Sequence, residues 1–216
     1  MRTNTTANPL ETGTDELERY AIEECIKRQR IDHRVSVLVM PAGRCELTAK
    51  FARSGARVTV ADNPSCKQEV EGRILANGLH NEIIFRPYVL PELPETPTDE
   101  PFDIIVIRRG LCAMTYEQSR QIVRQLLLRL KIGGKLYISI LGLHTELGEG
   151  YSDHDKPVEV RFSKLSPTMI SKYGIKGPVC LYTERNLFML LLEAGASVLR
   201  TLTTTYGNVK GVAVRV

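Results

Sequence analysis

Several features are scarce or missing in this sequence. Its five cysteines, Cys25, Cys45, Cys66, Cys112 and Cys180, are odd in number and no two have CxxC spacing. A disulfide framework and a zinc site are therefore not expected, and a reducing, cytoplasmic compartment fits. No apolar run approaches the ~20 residues of a membrane span. Residues 1–13 are polar, rich in Thr and Asn and without the apolar stretch of a signal peptide, so they read as a flexible tail. Basic residues are scattered. The net charge of +4 and a pI of about 8.8 stay below the pI above ~9 and the clustered basic face of nucleic-acid binders. The densest run, Lys27-Arg28-Gln29-Arg30, suits the solvated C-terminal end of a helix. No internal repeat is visible.

What is present is ordinary for a globular chain. With 216 residues, 43% hydrophobic and 25% charged, residues 14–216 suffice for one α/β domain with a full core.

The chain is organised around Val35 to Asp62. Val35, Val37, Leu38 and Val39 form an apolar run. Met40-Pro41-Ala42-Gly43-Arg44 is a turn. Leu47 and Phe51 lie four apart on a helix face, and Gly55 suits a helix C-terminus. Val58, Val60 and Ala61 form a second apolar run that ends on Asp62. This is a βαβ unit with an acid at the end of its second strand, a layout that seats a nucleotide-like ligand over the first turn.

Before it, Thr14 to Ile31 is expected to be a helix, capped by Thr14 and striped by Leu17, Ala21, Ile22, Cys25 and Ile26. After it, Asn63-Pro64-Ser65 opens a helix with Val70, Ile74 and Leu75 inward and Asn77-Gly78 at its end. Ile83 to Phe85 is a short strand. Pro87, Pro91, Pro94, Pro97 and Pro101 mark a connection that no regular helix spans. Phe102 to Ile107 is apolar on both faces, as a central parallel strand should be. Thr115 and Gln118 form a capping box for a helix that sends Ile122, Val123, Leu126, Leu127 and Leu130 inward. Gly133-Gly134 is expected to be a turn and Lys135 to Leu141 a fifth strand. The stretch 142–182 has little periodicity and is read as a substrate-covering insertion. A helix follows Thr183, with Leu187, Phe188, Leu190, Leu191 and Leu192. Then come a strand from Ser197, a Gly207-Asn208 hairpin turn and a last alternating strand to Val216.

Strand and helix alternate until the closing hairpin. The expected fold is therefore α/β: a Rossmann-like, doubly wound, mostly parallel seven-stranded sheet with an antiparallel C-terminal strand and helices on both faces. In VLVMPAGRCEL, VTVAD, PFDIIVI, LKIGGKLYISI and YTERNLFMLLLEAGASVL, taken in that order and spacing, the chain resembles the class I S-adenosylmethionine-dependent methyltransferases. The resemblance covers about Thr14 to Val216.

The resemblance implies a set of site residues. The family's first motif has an acid before a Gly-x-Gly-x-Gly turn. Here the acid's position is Val39, and the glycine positions are Pro41, Gly43 and Cys45, so only Gly43 remains. A central glycine allows close backbone approach to a ligand. Pro41 donates no N–H. Backbone amides and a helix N-terminus still surround the turn, so Pro41, Ala42 and Gly43 are expected to border S-adenosylmethionine. Asp62 is expected to accept the ribose hydroxyls, or to cap the next helix, or both. Asn63 is expected to line the adenine, and Tyr88 either to stack on it or to pack in the Pro-rich loop. Arg108 and Arg109 follow the fourth strand, and one of them is expected to hold the cofactor's carboxylate or an anionic substrate group; Arg108 is the first choice. His144, just after the fifth strand, is the candidate general base or substrate contact. Cys112 has no base partner that would make it a nucleophile. No metal site is expected. The tetrapeptide of Asn or Asp, Pro-Pro and an aromatic, used by nucleic-acid methyltransferases, is absent after Ile107, where Arg108-Arg109-Gly110-Leu111 stands.

These residues point to a methyltransferase using S-adenosylmethionine on a small-molecule substrate. No membrane span or nucleic-acid partner is expected, and a protein partner or homo-oligomer stays open. The alternatives are a catalytically inactive methyltransferase-like binding or scaffold subunit, motivated by Val39, Pro41 and Cys45, and a different nucleotide-using Rossmann enzyme.

Overall fold

A computed structural model describes residues 16–31, 33–88, 90–93 and 100–216. The proposed tail, Thr14, Pro94 and Pro97 lie outside them.

The elements run α1 (Glu16–Arg28), β1 (Ser36–Met40), α2 (Glu46–Arg53), β2 (Arg57–Asp62), α3 (Lys67–Ala76), β3 (Ile83–Pro87), β4 (Phe102–Arg108), α4 (Tyr116–Leu128), β5 (Leu130–Ile140), α5 (Pro167–Tyr173), α6 (Glu184–Glu193), β6 (Ser197–Thr203) and β7 (Val209–Val214). The seven strands form one sheet in the order β3-β2-β1-β4-β5-β7-β6. β7 pairs antiparallel with both β5 and β6, and the pairings among β1 to β5 are parallel. This is the expected Rossmann-like sheet with its antiparallel C-terminal strand.

Strand alternation divides the core. Val37, Val39, Ile104 and Val106 face α1, α2 and α3 on one side. Leu38, Met40, Ile105 and Ile107 face α4, α6 and the 142–182 segment on the other. β1 and β4 are buried along nearly their whole length, because helices cover both faces. Between β3 and β4, no helix occurs among the described residues.

Several expectations shift. α1 stops at Arg28, three residues early. The Gln29 side chain accepts from Val35 N at 3.0 Å and donates to Ser54 O at 3.3 Å, which turns the chain out of the helix. Leu75, expected inward, is 66% exposed. Leu130 starts β5 instead of ending α4. Gly133-Gly134 is not a turn between elements but an irregularity inside β5, where the register with β4 slips between Phe102 and Ile104. Gly133 has φ of 75°, and a side chain at Gly134 would meet Lys131 O at 2.7 Å, so both positions need glycine. The Thr115–Gln118 capping box forms as expected.

The 142–182 segment is folded, not a loose loop. It contains α5 and two 3-10 turns and sends Leu147, Tyr151, Val158, Leu165, Met169, Cys180 and Tyr182 into the larger core cluster. Arg161 pins it internally, donating to Asp153 O at 3.3 Å, Leu181 O at 2.8 Å, Lys156 O at 2.6 Å and Asn186 Oδ1 at 3.2 Å. The Cys180 N–H donates to Cys112 O at 2.9 Å, tying the segment to the turn after β4.

Candidate functional site

Open α/β sheets bind ligands at the carboxyl ends of their strands, where neighbouring crossovers leave in opposite directions. Here that point lies between β1 and β4: the chain moves from β1 outward to β2 and β3, then returns to β4 on the other side. A cavity of about 220 Å³ opens at this edge, lined by Met40, Pro41, Ala61, Asp62, Asn63, Tyr88, Leu90 and Gly110. It is smaller than the ~300 Å³ lower end of common ligand pockets, so its walls suit part of an extended ligand.

The β1–α2 turn forms one wall. Met40-Pro41 is a cis peptide, Gly43 has φ of 51° and Cys45 has φ of 61°. The Cys45 N–H closes the turn onto Ala42 O at 3.0 Å, and Cys45 caps α2 without a side-chain hydrogen bond. Arg73 on α3 donates to Gly43 O at 2.6 Å and holds the turn's rim. Burial raises the Cys45 thiol's pKa, so it packs as a small apolar group.

Asp62 joins the turn to the end of β2. Its Oδ2 accepts from Ala42 N at 3.0 Å and its Oδ1 from Asn63 N at 2.8 Å. An ionised carboxylate has about four acceptor positions, so two remain after these bonds. Asn63 caps the following 3-10 turn by accepting from Ser65 N at 3.0 Å. The Tyr88 N–H donates to Asp62 O at 3.1 Å, which brings the ring of Tyr88, 8% exposed, to the far wall. Gly110 closes the near wall. A Cβ there would come within 2.8 Å of Leu90 Cδ1, so its lack of a side chain lets Leu90 pack in.

Of the residues singled out from sequence, Pro41, Asp62, Asn63 and Tyr88 line the cavity together. Ala42 is bound to Asp62 behind it and Gly43 sits on the exposed turn. Arg108 is not brought there. It pairs at 3.0 Å with Glu18, itself 3% exposed, on the α1 face of the sheet. His144 is exposed on the turn after β5, its ring edge-on to His154 at 6.4 Å between centroids. β5 is two strand positions from β1, about 10 Å across the sheet. Cys112 is buried, accepts from Leu141 N through its sulfur at 3.1 Å and has its pKa pushed by burial up to about 12, a structural thiol. No group of three metal-ligating side chains occurs among the described residues, and no described helix is long and apolar enough to cross a membrane. Met40, Leu90 and Gly110 were not singled out beforehand. In sequence Met40 reads as the first residue of the turn, although it ends β1, Leu90 as a plain apolar residue, and Gly110 only as part of Arg108-Arg109-Gly110-Leu111.

No family model matches the sequence, and no curated protein matches it. Solved structures do match in fold. An S-adenosylmethionine-dependent methyltransferase from Methanosarcina mazei aligns with a TM-score of 0.65 at 21% identity, over 86% of this chain and 94% of its own. An O-methyltransferase family protein from Burkholderia thailandensis aligns with a TM-score of 0.63 at 14% identity, over 92% of this chain and 56% of its own. The fold is that of the class I methyltransferases. An O-methyltransferase family 2 protein from Planctomyces limnophilus, solved with apigenin, aligns with a TM-score of 0.61 at 14% identity, over 93% of this chain and 60% of its own. The chain thus spans little more than half the length of these two O-methyltransferase structures.

Set against the methyl donor of that fold, the residues fit one half well. Asp62, with two acceptor positions left, suits a ribose diol, and Met40, Ala61, Leu90 and Tyr88 offer flat apolar surface for a purine. The other half meets fewer polar groups: Val39 is 1% exposed and uncharged, and Pro41 has no N–H.

Proposed function

We propose that the chain is an S-adenosylmethionine-dependent methyltransferase acting on a small-molecule acceptor. The observation that carries this reading is Asp62: a carboxylate at the carboxyl end of β2 that braces the β1–α2 turn through Ala42 and keeps acceptor capacity toward a cavity walled by Tyr88. Asp62 accepts the ribose hydroxyls. Asn63 and Tyr88 enclose the adenine, and Pro41, Ala42 and Gly43 border the donor. When bound, the donor supplies an electrophilic methyl group. The protein's task is then mainly to hold the acceptor in line and keep water away. The 142–182 segment covers the acceptor, and His144 removes its proton where the acceptor carries one. The apigenin in the Planctomyces structure supports a small organic acceptor. The five free cysteines support a reducing, cytoplasm-like compartment.

The discriminating experiment is calorimetric titration of the wild type and of Asp62→Ala with S-adenosylhomocysteine. The reading expects the variant to lose at least about tenfold in affinity, the effect of removing a charge-assisted hydrogen bond pair. Equal affinities would remove Asp62 from the ribose site.

A second reading is a methyltransferase-like binding subunit without turnover. The apolar Val39 and the missing amide at Pro41 favour it. Binding of S-adenosylhomocysteine, with no methyl transfer from labelled donor to any of a panel of small phenols, acids and amines, would support it over the first.

A further inference from the structure

A second cavity, of about 380 Å³, lies at the amino edge of the sheet, opposite the Asp62 edge, and is lined by Lys27, Arg28, Arg30, His33 and Asp103. Its walls come from the end of α1, the turn into β1 and the start of β4. Arg30 N donates to His33 O at 3.1 Å and His33 N to Arg30 O at 3.4 Å, which fixes that turn and brings both residues to the cavity. Asp32, between them, lies outside the described residues. The carboxylates at this edge are already engaged. Asp103 accepts from Ser36 N at 2.9 Å, Ser36 Oγ at 3.0 Å and Lys131 Nζ at 2.9 Å, and bonds His33 Nε2 at 3.2 Å. Those contacts fill the roughly four acceptor positions of a carboxylate. Glu24 pairs with Arg28 at 2.7 Å and with Lys135 at 2.8 Å. Arg28 also donates to Gly133 O at 2.8 Å, so its guanidinium is held in place. Among the described residues, the Lys27 ammonium and the Arg30 guanidinium make no ion pair.

The C-terminal end of α1 accounts for cations at Lys27 and Arg28. It does not account for Arg30 and His33, which lie beyond the helix and meet them on one concave surface. A carboxylate is planar and singly charged, and one guanidinium fork satisfies it. A phosphate monoester carries nearly two charges and three acceptor oxygens, which need donors from more than one side. Lys27 and Arg28 supply them from α1, Arg30 and His33 from the turn. We propose that this cavity is a second binding site, for a phosphate group carried either by a small soluble molecule or by a lipid headgroup. The exposed Ile26 and Ile31, next to Lys27 and Arg30 in the chain, give the lipid source an apolar contact. The inference is independent of methyl transfer and uses none of the residues of the Asp62 edge.

The test uses the full chain and two probes: inorganic pyrophosphate, and phosphatidylcholine vesicles with and without phosphatidic acid. The variant is Lys27→Gln with Arg30→Gln. The control, Arg53→Gln with Arg185→Gln, removes the same charge from exposed positions on α2 and α6. Calorimetry is expected to show saturable pyrophosphate binding, weakened about tenfold or more in the variant and within about twofold of the wild type in the control. By NMR, the His33 ring signals, assigned with His33→Gln, should move on pyrophosphate binding, while those of His80, His144 and His154 stay. Sedimentation with the phosphatidic acid vesicles alone, lost in the variant and kept in the control, with no pyrophosphate binding, would assign the phosphate to a lipid headgroup. Equal losses in variant and control, unmoved His33 signals in the presence of bound pyrophosphate, or no binding of either probe at millimolar phosphate would overturn the assignment.

Discussion

The β1–α2 turn and the 142–182 segment are opposites. The turn is short and announced by its sequence, and it keeps polar capacity in reserve. Pro41, Gly43 and Arg44 are exposed, and Asp62 has spent only part of its acceptor positions. The 142–182 segment is long and without periodicity, yet its buried Arg161, Asp153, Tyr151 and Tyr182 are bonded within it or to the helices beside it. The Arg161 guanidinium is spent on three carbonyls and one side-chain amide. The buried Asp153 carboxylate accepts from Phe162 N at 3.0 Å and pairs with Lys156 at 2.7 Å. Tyr151 donates to Val179 O at 2.6 Å, and the Tyr182 hydroxyl bonds Ser119 Oγ at 3.1 Å. The difference separates an exposed turn with acceptor capacity left over from a segment whose buried polar side chains are spent on the fold.

Substitutions can break or sharpen this contrast, and the largest effect belongs to the self-satisfied segment. Arg161→Ala leaves several buried carbonyls unpaired and opens a void, so it should cost about 3 kcal/mol in chemical denaturation. A loss below about 1 kcal/mol would mean the segment does not depend on its internal staple.

Asp103, at the opposite edge of the sheet, comes next. Burial opposes its charge, but hydrogen bonds from the Ser36 backbone, the Lys131 ammonium and the Ser36 hydroxyl outweigh that and hold its pKa below the usual carboxylate value. A carboxyl with a depressed folded pKa stabilises fully above its unfolded value, near 4, and loses that contribution as pH falls toward the folded value. Asp103→Asn should therefore cost about 2 kcal/mol at neutral pH and flatten the decline of stability below about pH 4. Parallel acid limbs for variant and wild type would exclude Asp103 as a source of that decline.

At the turn, the balance of effects reverses. Asp62→Ala removes the brace to Ala42 and should cost only about 1 kcal/mol of stability while weakening S-adenosylhomocysteine much more. A large stability loss with intact binding would make Asp62 a structural cap instead. The smallest effect is expected from His144→Ala. The side chain is exposed, so thermal stability should change by less than about 0.5 kcal/mol. Any larger change in methyl transfer then reports on the proton step.

Much of the frame was legible beforehand because its signals are local. The apolar runs of β1, β2 and β4 follow from burial on both faces. Asn63-Pro64 and Thr115–Gln118 are helix starts written in a few residues, and Gly207-Asn208 gave the final hairpin. What stayed hidden depends on distant partners. Arg108 turns from the cavity because Glu18, ninety residues earlier, waits on the other face. Gly133-Gly134 stays in the strand because Gly133 N donates to Arg215 O and Gly134 O accepts from Arg215 N, eighty residues on, while Lys131 O and Asp103 O leave no room for a side chain at Gly134. The order within 142–182 rests on Arg161 reaching carbonyls up to twenty residues away, which no periodic pattern reports. In the cavity, Asp62 and Tyr88 were legible as chemistry. Gly110 was not, since its role is to leave space for Leu90.

The central claim is that the Asp62 edge still holds the methyl donor despite its altered turn. Calorimetric titration of the wild-type chain with S-adenosylhomocysteine tests it most directly. The account predicts saturable binding at one site per chain. An absence of heat and of competition with S-adenosylmethionine at millimolar concentration would contradict it.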